Sequence, residues 1–165
     1  MLDQLLQTVN DSAIGTLIRE NGVIFPWLEV VHVLAITTVV GTIALVDLRL
    51  LGLASTSYPV SRLTKSILPL TWIAFAVALV SGALMVSSQP ANYFANFAFR
   101  MKMLMLLAAA LNMAVFHMLT MRGLPLWDRD APVPVAAKAA GVLSVIIWVT
   151  IVALGRWIGF TMNPF

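Results

Sequence analysis

The stretch from Pro26 to Arg49, PWLEVVHVLAITTVVGTIALVDLR, constrains this chain more than any other. Nearly every residue between Trp27 and Val46 is apolar. A helix rises about 1.5 Å per residue, so roughly twenty such residues cross a bilayer core of about 30 Å. The same stretch carries Glu29 and His32 and closes on Asp47 and Arg49. At about 100° per residue, Glu29 and Asp47 point the same way. His32 lies about 60° to one side, and Ile36, Val40 and Ile43 fill the face between them. Lipid cannot satisfy a polar stripe, so the stripe must meet other helices or a ligand.

The remainder of the chain is of the same kind. Apolar residues make up 61% of the 165 positions and charged residues only 10%. Mean hydropathy is +0.96. A soluble domain is about a quarter charged, so the composition predicts an integral membrane protein. The length suits one all-α, four-span up-down bundle with short connections and no separate soluble domain. Ten Lys and Arg stand against seven acids. In a membrane chain that excess points to topology and lipid headgroups, with the bilayer as partner and no nucleic acid. There is no cysteine, which excludes disulfides, thiolate metal sites and cysteine nucleophiles. Asp3 stands where a signal peptide needs positive charge, so no cleaved signal is expected.

Residues 1–22 read as an amphipathic surface segment. Leu2, Leu5, Leu6 and Val9 recur at helical spacing; Ile14, Leu17 and Ile18 repeat the pattern after Asn10-Asp11-Ser12. Residues 23–165 form the bundle, with spans expected at about 24–47, 67–87, 103–121 and 136–159. Pro69 and Trp72 fall near the start of the second span, and Ser81-Gly82 allows close helix approach. The segment SSQPANYFANFAFRMK reads as aromatic headgroup-level chain, and GLPLWDRDAPVPV as a loop. The first and third connections hold Arg49, Arg62, Lys65, Arg122, Arg129 and Lys138; the other side holds Arg19, Arg100, Lys102 and Arg156. Six against four places the first group in the cytoplasm of a bacterial inner membrane, with both termini outside.

Both histidines of the chain, His32 and His117, lie within spans. An ionisable group there is a functional candidate, although a buried histidine also serves simply to bond a carbonyl across a helix pair. The first reading is haem b, which four-helix bundles hold through histidines on facing helices. Arg100, Lys102 and Arg156 then meet the propionates. Spans one and three run parallel, and His32 and His117 sit on opposite sides of their midpoints. The depth difference is roughly 15 Å. One shared haem therefore needs a tilt or offset. Otherwise each histidine serves its own haem, with a methionine or the copy in a two-fold homodimer as second ligand. The second reading is copper. Met113, His117 and Met121 fall at i, i+4 and i+8, and thioether with imidazole suits Cu(I); methionine is also an ordinary filler of apolar cores. Glu29 and His32 form an E-x-x-H pair, but di-iron sites need further core carboxylates. Glu29 is better matched to Arg156 as an intramembrane ion pair or proton path, and Asp47 to Arg49 or Arg122. Nucleotide-binding and hydrolase motifs are absent, and Gly155–Gly159 is a weak helix-contact signal.

These residues carry a resemblance. The start EVVH and the end DLRLLG of the first span, with NFAFRMK before the third and LNMAVFH within it, resemble an uncharacterised family of small bacterial four-helix membrane proteins. The likeness runs from Pro26 to Phe160. More distantly it resembles the membrane parts of copper-resistance D-type proteins and b-type cytochromes. It puts weight on Glu29, His32, Asp47, Arg49, Arg100, Lys102, Asn112 and His117. The expectation is a haem-binding protein for electron transfer, or the membrane partner of a redox enzyme. The competing expectations are copper, solute or proton transport, and a structural subunit of a larger complex.

Overall fold

The computed structural model describes residues 1–120, 123, 128 and 132–162. The described chain is helical. Two short helices, α1 (Leu2–Asn10) and α2 (Ala13–Glu20), precede the long α3 (Ile24–Leu51) and α4 (Val60–Ser88). A single-turn α5 (Pro90–Ala95) leads into α6 (Phe97–Val115), which ends in a π-helical turn over Phe116–Thr120; α7 (Val135–Thr161) follows. Four of these helices are long and apolar enough to cross a membrane.

Each boundary has a local cause. Gly52, at φ 76°, takes the left-handed position that ends α3, and its N–H and that of Leu53 turn back to the Arg49 and Leu48 carbonyls. The helix α4 starts well before the expected residue 67. Pro59 offers no side-chain cap there, but Asp128 from the connection before α7 accepts from both the Ser61 N–H and its hydroxyl. Likewise α6 starts before residue 103, because Asn96 accepts the Phe99 N–H at 3.2 Å.

The long helices lie in the order α4–α3–α7–α6, with α3 and α7 in the middle. Small residues set the α3–α4 contact. Ala74, Ala78 and Ser81 of α4 are buried against a face of α3 that buries Ala35, Val39 and Thr42. The antiparallel register shows in two hydrogen bonds: His32 meets Ser81, and ten residues on Thr42 meets Thr71. Gly141 lets α7 approach α3, since a Cβ there would stand 3.4 Å from the Asp47 carbonyl oxygen. The pair α6–α7 is tied by Asn96 to Thr161 at 2.9 Å, and by Asn112 to the Ala140 carbonyl at 3.1 Å. Leu50, Val60 and Ala137 close one end of the bundle; Tyr93, Ala98, Phe99 and Ile158 close the other.

The hairpin α1–α2 is fastened to the C-terminal end of α4. Arg19 donates to the Asn10 carbonyl and side chain and to the Ser88 carbonyl. Gly15 is wedged so tightly that a Cβ would lie 2.6 Å from the Ser87 carbonyl oxygen. Leu5, Val9, Ile14 and Leu17 stay exposed, an apolar face suited to the headgroup boundary.

Candidate functional site

His32 projects from the first half of α3 toward α4 and is half-buried. Its Nδ1 lies 2.9 Å from the Ser81 Oγ. That hydroxyl has one proton, and it donates to the Val77 carbonyl at 2.7 Å. With the hydroxyl proton on that carbonyl, the neutral ring donates from Nδ1 to Ser81, and the Ala78 backbone also hydrogen-bonds the ring. In that tautomer Nε2 carries the lone pair. The ring lies against Gly82, where a Cβ would come within 2.9 Å of Cε1. Only glycine leaves room for the imidazole.

Two further helices complete the surroundings. Lys102 of α6 is half-buried, and a Cβ on Gly155 of α7 would stand 3.5 Å from its Nζ. Its ammonium is within electrostatic reach of His32, and no hydrogen bond holds it among the described residues. Glu29, one turn before His32, is exposed and acts electrostatically on Tyr93 of α5. Burial first, and Glu29 second, push the Tyr93 phenol up to about 12. Arg100 is exposed at the same end of the bundle. One imidazole and one ammonium are thus within electrostatic reach of each other, with one carboxylate a turn away on α3 and, at the same end of the bundle, Tyr93 and Phe99, whose ring centroids are 5.4 Å apart.

His117 lies elsewhere. From the depth of Lys102 it is about 20 Å further along α6 at about 1.5 Å per residue. It is exposed, its Nδ1 donates to the Met113 carbonyl at 3.0 Å, and its ring stands edge-on to Phe116. Phe116 packs toward the Leu50–Val60 cluster, and the next side chain is turned away from it. In this fold His117 is therefore exposed and far in depth from the half-buried His32.

The remaining expected partners also separate. No ion pair joins Glu29 to Arg156 among the described residues. Arg156 is about 140° around α7 from the buried Ile151, and its guanidinium lies 4.5 Å over the Phe160 ring. Asp47 and Arg49 are both buried yet do not pair: Arg49 Nε donates to the Tyr58 carbonyl at 2.8 Å. Asp47 meets Ser144 of α7 instead. Arg122, the other expected partner, lies outside the described residues, as does Met121 of the copper reading. Met113 is exposed. No three of His, Asp and Glu converge on a point among the described residues.

His32 and Lys102 were legible as parts of one site, whereas Tyr93 beside Glu29 and Ser144 beside Asp47 were not. Ser81-Gly82 was readable as a close contact; that the contact is with an imidazole depends on the α3–α4 register.

This chain belongs to DUF6644, described as a family of unknown function, whose pattern matches residues 6–161. No curated protein and no solved structure matches the chain, so the wider likeness to copper-resistance D-type proteins and b-type cytochromes finds no support there.

Proposed function

We propose that this protein is a b-type cytochrome-like membrane protein in which His32 offers Nε2 to a haem b. The supporting observation is the hydrogen-bond chain His32–Ser81–Val77, which orients the ring and, with the ring proton on Nδ1, gives Nε2 the lone pair a ligand needs. Lys102 adds an ammonium that no ion pair holds among the described residues, suited to a propionate. Arg100, exposed at the same end, is a second candidate for that task; Arg156 is engaged with Phe160. Bound there, haem b supplies one-electron transfer, in electron transport or beside a redox enzyme. The chain's own work is to orient the ring, exclude water with Tyr93 and Phe99, and neutralise carboxylates. His117 takes no part in that haem. A further ligand for that haem would come from outside this site, such as His32 of a second copy. The proposed location is a bacterial inner membrane with the termini outside, a reading supported by the excess of basic residues in two connections.

The test is a spectrum of purified protein. A Soret band that sharpens on reduction, disappears in His32→Ala and survives in His117→Ala supports the reading. A colourless protein carrying copper by elemental analysis replaces it with copper binding. Neither colour nor metal leaves a solute-binding or structural subunit.

A further inference from the structure

The opposite end of α3 holds a polar group that the His32 site does not use. Asp47 is only 6% exposed, and among the described residues its Oδ2 has no hydrogen-bond partner. Ser144 of α7 faces the carboxyl, and α7 passes close to α3 at Gly141. A bare carboxylate in such a place is strongly disfavoured, so something must neutralise it. Among the described residues, the charged groups on the packed elements are otherwise placed; Arg122 and Arg129 lie outside them. Arg49 is about 200° around α3 and donates to Tyr58. Asp128 accepts from Ser61. Arg62, Lys65 and Lys138 are exposed at the ends of α4 and α7, and His117 is exposed on the π-helical turn.

We infer that the α3–α7 crossing is a second site, in which Asp47, assisted by Ser144, holds one small monovalent cation, a proton or a sodium ion. One carboxylate matches a single positive charge, whereas a divalent ion would leave a net charge buried. The site is independent of whatever His32 binds.

Infrared difference spectra of the protein in lipid vesicles, wild type minus Asp47→Asn at neutral pH, test it directly. They are recorded in sodium buffer and again with choline in its place. A carboxylic-acid carbonyl band that belongs to Asp47 and persists in both buffers identifies the proton. A band present in choline and lost on adding sodium identifies the sodium ion. Ser144→Ala, which leaves the carboxylate in place, is expected to move the band to higher wavenumber; this variant serves if Asp47→Asn does not fold. Absence of any Asp47-dependent band in both buffers, or a band that Ser144→Ala leaves unmoved, overturns the inference.

Discussion

His32 is held by two neighbours of different kinds, a hydroxyl that accepts and a glycine that gives way. They can be separated. Ser81→Ala removes the acceptor and leaves Nδ1–H unsatisfied in a half-buried place, at about 1–2 kcal/mol. The ring keeps its seat but is no longer held in one tautomer, so haem content should fall without vanishing. Gly82→Ala instead puts a methyl 2.9 Å from where Cε1 now lies. Overpacking of that kind costs about 1–3 kcal/mol, and the ring must leave, so haem binding is expected to be lost. Denaturant titration beside absorbance distinguishes the two. Tyr93 gives a pH prediction. Its folded value is raised to about 12. The phenol therefore contributes stability that is fully present below its unfolded value near 10 and is lost as pH rises toward about 12. In that window stability should fall by up to about 1.4 kcal/mol per pH unit. Tyr93→Phe should flatten the decline, followed by thermal unfolding in a Tyr58→Phe background, where Tyr93 is the one phenol left.

Helices here begin and end where side chains, not hydropathy, decide. The apolar run marked α3 well, because a left-handed Gly52 follows it directly. The start of α4 was not legible, since its cap, Asp128, comes from a connection 67 residues later. Asp128→Ala should cost about 1 kcal/mol and fray α4 back toward residue 67, visible as faster amide exchange over its first turns. The N-terminal hairpin is equally dependent on tertiary contact. Its amphipathic spacing foretold two surface helices, but nothing in that spacing foretold that Gly15 would meet three backbone carbonyls. Gly15→Ala is expected to lift α2 off α4 and open the hairpin to limited proteolysis, with the spans unaffected. As for the candidate site, residue types on single helices were readable, whereas neighbours across helices required register. The Glu29–Arg156 pair shows why: depth along the two helices was compatible, but the buried face of α7 is set by Ile151 and Ile158, and Arg156 lies on the other side.

At the scale of the whole molecule, the bundle is an ordered row with α6 at one edge, leaning on α7. None of the most apolar window of α6 is buried. Its grip on α7 includes Asn112 and Asn96. Asn112→Leu should weaken the pair by about 1 kcal/mol and leave the α3–α4 contact untouched, which cysteine cross-linking in this cysteine-free chain can measure. The row also differs from the order in which the ribosome delivers the helices. When α3 and α4 enter the bilayer they can close on each other at once. The next to arrive, α6, finds its berth missing until the last helix has been synthesised. A nascent chain halted before residue 135 should therefore show α3 and α4 already mated, while α6 waits alone in lipid or in the keeping of an insertase.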